Sequence, residues 1–226
     1  MSTLNGGPGN IVTNGLVLYL DAANYLSYTS GSTTWRDLSP SNISGSLING
    51  PTFSSTNAGS IVFDGVDDFV NCGTQIDLSQ YSAFSVNVWV NSRSLTGSKS
   101  AFAFANNPSS TGWQHWIGTY GNNFYVEMRS GGSDRALSAS GVILNTWSHI
   151  TTVWNGTTLF LYVNGVERTS TAASAITNTV KTLYIGYFPG YAVWDGFVSN
   201  TQIYNRALSA SEILQNYNAT KARFGL

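Results

Sequence analysis

Charged residues are scarce in this chain. Only 9% of its 226 residues are Asp, Glu, Lys or Arg, against about 25% in a typical globular protein. The net charge is −1 and the ten Lys and Arg residues are scattered, so the sequence lacks the clustered basic stripe that nucleic-acid binding needs. Solubility must come from Ser, Thr, Asn and Gly, and such a surface suits uncharged partners such as sugars or a protein shell.

Cysteine and long apolar runs are also lacking. The single cysteine, Cys72, excludes an internal disulfide, and we expect it to be a small, half-buried apolar residue. No apolar run approaches the roughly 18 residues of a membrane span. The N-terminus lacks the basic and apolar regions of a signal peptide, so the sequence predicts synthesis in the cytoplasm without a classical export signal.

What the chain does contain is a β-rich pattern. Residues 1–14, rich in Gly, Asn, Ser and Thr, predict a flexible N-terminal arm, and residues 15–226 predict one domain. The Asn-Gly pairs at 155–156 and 164–165 predict type I′ hairpin turns and therefore a three-strand meander from 147 to 170. In "FSVNVWVN", from Phe84, alternation leaves Trp89 on the less apolar face. That position predicts either a second layer over the face or a binding surface.

One short helix is predicted after the last strand. Ser209 and Glu212 have the spacing of a capping box, and Ile213, Leu214 and Tyr217 fall on one helical face. A helix this short is unstable alone. We therefore expect it to dock on the β domain, covering an open end or an edge strand.

Three stretches in series carry a family resemblance. "FDGVDDFV" (63–70), "TWSHITTVWNGTTLFLYVNG" (146–165) and "LYIGYFPGYAVWDGFVSNTQIYNRALSASEI" (183–213) resemble the LamG-like, concanavalin A-like jelly-roll family. The resemblance implies an all-β antiparallel jelly-roll sandwich with one short C-terminal helix. The chain departs from the family at Ser199, where relatives often carry a second acid in the last strand, and this departure weakens an inherited metal role.

The opening segment carries a second resemblance. "NIVTNGLVLYLDAANYLSY" and "TTWRDLSPSN" look like LamG-like structural proteins of tailed bacteriophages. This resemblance implies a virion protein made in the host cytoplasm, first of all a capsid decoration or accessory protein. Its expected partners are the capsid or another virion protein, further copies of itself in a homo-oligomer, and a host surface glycan. The alternative is a tail adhesin, a receptor-binding protein whose main role is carbohydrate recognition.

The residues for catalysis are missing from the sequence. Glycosidases need two carboxylates flanking the scissile bond, but the three glutamates, Glu127, Glu167 and Glu212, stand apart. There is no Gly-x-Ser-x-Gly elbow, and His115 and His149 lie within strand-like runs, where we expect structural roles. The sequence thus predicts a protein that is not an enzyme and needs no cofactor, with a glycoside hydrolase as a distant third interpretation.

A sugar site is the first candidate site. Sugars stack on aromatic rings, which are plentiful in the segments 105–116 and 188–194. The candidate carbohydrate-binding residues are Trp113, Arg129, Asp134, Arg135 and Tyr191. The alternative is that these residues fill the core or form a protein contact; Trp194 is expected in the core.

A calcium site is the second candidate. Calcium takes oxygen ligands from carboxylates and loop carbonyls, and two Asp-Gly turns could meet at one end of the sandwich. The candidate ligands of this structural calcium are Asp64, Asp67, Asp68 and Asp195. The alternative is that the two turns have only conformational roles, with the remaining carboxylates in solvent.

Overall fold

Two antiparallel sheets of eight strands pack face to face in the computed structural model, which describes residues 10–109 and 111–226. Strands are numbered in chain order. Sheet A contains β1 (Leu16–Asp21), β4 (Thr52–Ser54), β5 (Ser60–Asp64), β7 (Phe84–Ser92), β12 (Trp147–Trp154), β13 (Thr158–Val163), β14 (Val166–Ala172) and β18 (Asp195–Tyr204). Sheet B contains β2 (Thr34–Trp35), β3 (Gly45–Ile48), β6 (Phe69–Asn71), β8 (Ser98–Ala105), β9 (Trp113–Tyr120), β10 (Asn123–Ser130), β11 (Ser133–Ser140) and β15 (Leu183–Ile185).

The remaining elements lie outside the two sheets. A small hairpin joins β16 (Tyr187–Phe188) to β17 (Ala192–Val193) and packs on β8. The helices are α1 (Ala210–Thr220) and three 3₁₀ segments at Thr56–Ala58, Leu78–Gln80 and Lys221–Phe224. No helix of the described residues has the length and apolar character needed to cross a membrane.

Strand order gives the sandwich its jelly-roll form. Sheet A runs β14-β13-β12-β7-β18-β5-β4, and β1 pairs with the second half of β18. Sheet B runs β11-β10-β9-β8-β15-β6-β3-β2. Half of the paired neighbours, such as β7 with β18 and β8 with β15, are not consecutive in sequence, because the chain crosses repeatedly between the two sheets. The predicted all-β antiparallel jelly-roll sandwich with one short C-terminal helix is confirmed.

Alternation along the strands builds one core between the sheets. On β7, Val86, Val88 and Val90 face inward and are buried. Phe102 and Phe104 on β8 are also fully buried in this core. Cys72 lies in the same cluster, and burial raises the pKa of its thiol to about 12. The cysteine is therefore a packing residue, as predicted, but it is buried and not half-buried.

The outer face of sheet A is covered by the C-terminal segment. The Trp89 ring packs on Phe224 at 4.2 Å and on Tyr217 at 5.7 Å between centroids, and its Nε1–H donates to Thr220 Oγ1 at 2.8 Å. The second layer predicted as one alternative for Trp89 is therefore present. The helix lies on the outer face of sheet A and also contacts the edge strand β14, so of the expected positions the edge is confirmed and the open end is not.

Helix α1 also holds the first described residues of the chain. The Val12 amide donates to Asn216 Oδ1 at 2.8 Å, and Tyr204 Oη donates to the Val12 carbonyl at 2.9 Å. Gln215 Nε2 donates to the Asn10 carbonyl. The predicted arm thus divides into residues 1–9, which lie outside the described residues, and residues 10–14, which are anchored to the helix and the last strand.

The three-strand meander is present as predicted, but its two turns differ. Asn164 and Gly165 both have positive φ, at 54° and 78°, as a type I′ turn requires. At the first turn only Gly156 does. There Asn155 Oδ1 accepts from the amides of Thr157 and Thr158, so the side chain organises a longer turn, and the type I′ prediction for that turn is wrong.

Candidate functional site

An aromatic groove lies on the outer face of sheet B. The groove encloses about 210 Å³, and its walls come from strands β8, β9 and β10 and from the loop of the β16–β17 hairpin. Its lining residues are Ser98, Trp116, Tyr120, Tyr125 and Tyr191. Because side chains alternate along a strand, β10 directs Tyr125, Glu127 and Arg129 to this face while Phe124, Val126 and Met128 enter the core.

The rings of the groove are in mutual contact. Trp116 packs on Tyr125 at 5.1 Å and meets Tyr191 edge-on at 5.9 Å. The Tyr191 hydroxyl lies 3.0 Å from Ser98 Oγ. Tyr120 is 58% exposed and Tyr191 is 53% exposed, so two ring faces remain open to solvent. An exposed cluster of this kind offers stacking surfaces flanked by hydroxyl groups.

The hairpin that carries Tyr191 rests on a buried aromatic layer. Trp113 and Phe188 pack at 6.2 Å between centroids, over Ala103 and Ala105 of β8. Trp113 is only 5% exposed, so it supports the groove from below and offers no stacking surface. Trp194 is fully buried, as expected.

A glycine on β9 makes room for the tryptophan. Gly118 lies opposite Tyr125 in the ladder, between Trp116 and Tyr120 in the chain. A Cβ at this position would come within 1.8 Å of the Lys99 carbonyl oxygen and 2.9 Å of the Trp116 ring. Only a residue without a side chain lets the Trp116 ring lie along the sheet at this point.

Glu127 contributes the acidic group next to the groove. Trp116 Nε1–H donates to its carboxylate at 2.9 Å. Burial raises the pKa of Glu127, partly offset by this hydrogen bond. Burial, together with the nearby negative charge of Glu127, also raises the pKa of Tyr125 to about 12. The groove therefore presents phenol hydroxyls, of which that of Tyr125 is neutral at neutral pH, beside one acidic side chain.

Arg129 and Asp134 form a pair near the groove, and Arg135 lies apart from them. Arg129 donates to the Asp134 carboxylate and to the Gly132 carbonyl across the β10–β11 turn. Arg135 instead lines a separate pocket beside residues 172–175. Of the five residues predicted for a sugar site, Tyr191 lines the groove, Arg129 and Asp134 pair near it, Trp113 supports it and Arg135 lies elsewhere.

Four groove residues are not among those predicted from the sequence: Ser98, Trp116, Tyr120 and Tyr125. Tyr125 and Glu127 have the same parity in "NFYVEMRS", and Trp116 and Tyr120 have the same parity in "WQHWIGTY". That alternation in two successive strands was the available signal. What the pattern could not show is which strands are neighbours and which sheet face the hairpin leaves open.

The predicted calcium ligands are partly brought together. Carboxylate oxygens of Asp64, Asp67 and Asp68 all lie within 4.8 Å of one another in the turn after β5. Asp68 Oδ2 accepts from the Asp64 amide at 3.0 Å. Burial and the neighbouring carboxylates raise the pKa of Asp68. A cluster of three oxygen donors of this kind fits the ligand preference of calcium.

The fourth predicted ligand has another partner. Asp195 lies opposite Asp64 in the β18–β5 ladder, so the two Asp-Gly segments do meet. However, Arg93 Nε donates to Asp195 Oδ1 at 3.0 Å, while Arg93 Nη2 donates to the Phe63 carbonyl at 2.6 Å. The Asp195 carboxylate is therefore engaged in an ion pair with Arg93 that no sequence pattern indicates.

The arrangement is that of a lectin-like β-sandwich with an aromatic groove on one sheet face. The model of the concanavalin A-like lectin/glucanases superfamily matches residues 64–214, more than half of the chain, and the chain belongs to this family. No curated protein sequence gives a significant match.

Several solved structures share the fold at low identity. The receptor-binding domain of a botulinum neurotoxin C/D mosaic serotype has a TM-score of 0.72 and 14% identity, covering 91% of this chain and 51% of that one. The binding domain of Paraclostridial mosquitocidal protein 1 has a TM-score of 0.70 and 18% identity, covering 90% of this chain and 52% of that one. This chain thus spans about half the length of these toxin domains.

One further match is covered completely. Domain 4 of AbnA, a GH43 extracellular arabinanase from Geobacillus stearothermophilus, solved in complex with arabinotriose, has a TM-score of 0.70 and 17% identity. The match covers 91% of this chain and 100% of that domain. At these identities the structural matches establish the fold alone.

Proposed function

We propose that this protein is a carbohydrate-binding module without hydrolytic activity, and that it binds a neutral oligosaccharide in the aromatic groove of sheet B. The observation that carries the proposal is the groove itself, where the exposed rings of Tyr120 and Tyr191 flank Tyr125 and Trp116. Few polar groups placed among aromatic walls are typical of small-ligand sites.

The charges beside the groove favour a neutral glycan over an acidic one. Arg129, the cation near the groove, pairs with Asp134 and also interacts with Glu127, whose pKa it lowers. Two acidic groups therefore face one cation beside the rings, and Glu127 is the one that contacts the Trp116 ring. An acidic sugar would bring a second negative charge close to this carboxylate, which costs free energy. A neutral sugar can instead stack on the rings and donate a hydroxyl hydrogen bond to Glu127.

The proposed absence of hydrolysis follows from the same groups. A glycosidase needs one carboxyl group as acid and a second as base or nucleophile, on opposite sides of the bond. On this face Glu127 accepts a hydrogen bond from Trp116, and Asp134 accepts one from Arg129. These carboxylates have structural partners, and we assign them to binding and to turn formation.

The relatives support a binding role by analogy. The arabinanase domain was solved with arabinotriose, a neutral oligosaccharide. A related neurotoxin binding domain was solved in complex with SialylT, and entry of botulinum neurotoxin type C depends on two ganglioside molecules. Neutral and acidic glycans are therefore both represented among similar folds, and the acidic groups beside the groove favour the neutral class for this chain.

The test compares glycans by titration calorimetry. We expect binding of a neutral panel, including arabino-, xylo- and gluco-oligosaccharides, and weaker or no binding of sialyllactose. Tyr191→Ala should lower the affinity at least about tenfold, equivalent to about 1.4 kcal/mol. Tyr25→Ala is the matched control, because Tyr25 is 64% exposed on another loop. This variant should bind the glycans as tightly as the wild type does.

Two outcomes would contradict the proposal. Equal affinities of the Tyr191→Ala and Tyr25→Ala variants would remove the groove as the binding site. Release of reducing sugar from any panel member, abolished by Glu127→Gln, would show an enzyme. A wild-type preference for sialyllactose would contradict only the assignment to neutral glycans.

We also propose, from the resemblance of the opening segment, that the module acts on a virion. The capsid or another virion protein as a partner, and the homo-oligomeric state, belong to this proposal. A glycan groove suits both a capsid decoration protein that holds host glycans and a tail adhesin. Labelling of purified particles for electron microscopy distinguishes the two by copy number and position, and the absence of label from particles would contradict both.

A further inference from the structure

A second pocket lies on the other side of the sandwich, on the outer face of sheet A. It encloses about 270 Å³ beside the layer formed by the C-terminal segment. Asn91 of β7 lies at its centre in the ladder, with Trp147 of β12 opposite it on one side and Phe197 of β18 on the other. The two rings are 6.2 Å apart between centroids.

The polar lining of this pocket is made of carboxamides and hydroxyls. Asn57, Asn91 and Asn145 line it together with Ser54, Thr56 and Ser60, and none of the charged residues that the structure describes does. Carboxamides and hydroxyls both donate and accept hydrogen bonds. A ligand that matches this lining is itself neutral and carries groups that both donate and accept.

Two lining groups are buried without a partner among the described residues. Asn91 is 7% exposed and Ser60 is 1% exposed, yet Asn91 Oδ1 and Ser60 Oγ make no hydrogen bond within the chain. Buried polar groups are almost always paired in folded proteins, because an unpaired group costs stability. Two such groups at one pocket therefore point to a binding partner that supplies the missing hydrogen bonds.

The walls of the pocket are held rigidly. Trp147 Nε1–H donates to Asn57 Oδ1 at 3.1 Å, and Asn57 Nδ2 donates to the Arg223 carbonyl at 3.2 Å. Trp147 also packs on Phe224 at 4.5 Å between centroids. The 3₁₀ segment Thr56–Ala58 and the C-terminal segment thus fix the aromatic wall before any ligand arrives, which lowers the entropic cost of binding.

We infer that this pocket binds one neutral sugar ring, as a second site separate from the groove on sheet B. Its volume lies just below the range of about 300–1,000 Å³ typical of drug-sized ligands, which fits a single ring. The half-buried ring of Phe197 supplies the apolar face, Trp147, which is 7% exposed, supports it from the wall, and the asparagines supply hydrogen bonds. This site does not depend on the groove of sheet B, since the two lie on opposite outer faces.

The test follows amide and indole signals by ¹⁵N–¹H NMR while single sugars are added. The probes are D-glucose, D-galactose, D-mannose, L-arabinose and N-acetyl-D-glucosamine. The Trp147 indole signal, assigned by its loss in Trp147→Phe, reports on the sheet A pocket, and the Trp116 indole signal reports on the sheet B groove. We expect saturable movement of the Trp147 signal with at least one probe.

Two variants and one control locate the binding. Asn145→Gly removes a lining carboxamide while suiting the left-handed backbone at φ 58°, and should weaken binding at least about tenfold. Asn42→Gly is the matched control: Asn42 has φ 55°, is exposed and lies outside the pocket. It should leave the titration unchanged.

A third variant separates binding from folding. Asn91→Leu replaces an unpartnered buried carboxamide with an apolar group of similar size, so we expect an equal or higher melting temperature together with lost binding. The inference is overturned if no probe moves the Trp147 signal. It is equally overturned if Asn145→Gly and Asn91→Leu bind as tightly as Asn42→Gly. Movement of the Trp116 signal alone supports only the groove.

Discussion

At the scale of single residues, the turn after β5 concentrates negative charge. Asp64, Asp67 and Asp68 lie within 4.8 Å of one another, and Asp68 is almost fully buried. Without a cation these carboxylates repel one another, which destabilises the turn. The proposed structural calcium would relieve this repulsion.

The calcium proposal makes a prediction about melting temperature. Calcium at a hundredfold excess over its dissociation constant should stabilise the wild type by about 2.7 kcal/mol. Asp68→Asn should lose this response. It should melt no lower than the wild type in a chelator, because one repelling charge is gone. Calorimetric melts with calcium and with a chelator provide the measurement.

Asp195→Asn serves as the control for that experiment. Its carboxylate is paired with Arg93, so we expect the calcium response to survive the substitution. If Asp195→Asn abolishes the stabilisation by calcium, Asp195 is a calcium ligand, and its ion pair with Arg93 must open when calcium binds. Identical wild-type melts in calcium and in chelator would end the calcium proposal.

The candidate glycan site shows how far single residues can be predicted. Tyr191 is a candidate because it lies in the aromatic segment 188–194, and it does line the groove. Trp113 belongs to a similar segment but is buried beneath Phe188. Composition cannot distinguish these two positions, because the difference depends on where the β16–β17 hairpin folds across β8.

At the scale of elements, helix α1 is held at its start by a cap. Ser209 Oγ accepts from the Glu212 amide at 3.3 Å, and Glu212 accepts from the Ser209 amide at 2.9 Å. Arg206 donates to both Glu212 oxygens, and this pairing lowers the pKa of Glu212 to about 2. The capping box was predictable from four residues; the arginine that reinforces it was not.

The helix provides a second stability prediction. Ser209→Ala should cost about 1 kcal/mol through loss of the cap. Ile213→Ala should cost about 2–5 kcal/mol, because Ile213 is fully buried between the helix and sheet A. Urea unfolding measures both, and a loss below about 0.5 kcal/mol for Ile213→Ala would show that the helix is not docked as described.

Leu214→Ala is the matched control for Ile213→Ala. The sequence placed Leu214 on the apolar face, but it is 45% exposed. Its substitution should therefore cost about 0.5 kcal/mol or less. The error arose because the buried face also takes Asn216 and Thr220, which bond to Val12 and Trp89. The spacing of apolar residues cannot identify a buried face that also contains polar residues.

The elements themselves were largely predictable, because alternation and Asn-Gly turns are local signals. The meander over β12, β13 and β14 shows this. Pairing across the sandwich is different, since β18 lies between β7 and β5, strands more than a hundred residues earlier. Such neighbours follow from the family resemblance, and the positions of the groove and the second pocket depend on them.

At the scale of the whole molecule, two buried, neutral histidines make the stability of the fold depend on pH. His115 joins the sheets: its ring nitrogens lie 2.9 Å from the Glu127 carbonyl and 2.9 Å from Thr152 Oγ1. His149 lies beneath Trp89 and Tyr217. Burial lowers the pKa of each histidine to about 3, so the folded protein keeps both rings neutral where an unfolded chain would protonate them.

The last prediction concerns acid stability. Below about pH 6.5, the ordinary pKa of histidine, both histidines become protonated in the unfolded chain but stay neutral in the folded chain. The free energy of unfolding therefore falls as the pH falls. Between pH 6 and pH 5 the two histidines together should remove about 2–3 kcal/mol from the free energy of unfolding. The raised pKa of Glu127 acts in the opposite direction as the pH falls, because the folded chain then takes up a proton more readily than the unfolded chain. The measurement is therefore the difference in slope between the wild type and a His115→Gln, His149→Gln double variant, each unfolded in urea at both pH values. Each single variant should remove about half of the slope, because the rings titrate separately. If the double variant loses stability between pH 6 and pH 5 as steeply as the wild type, the histidines are not the source of the acid sensitivity.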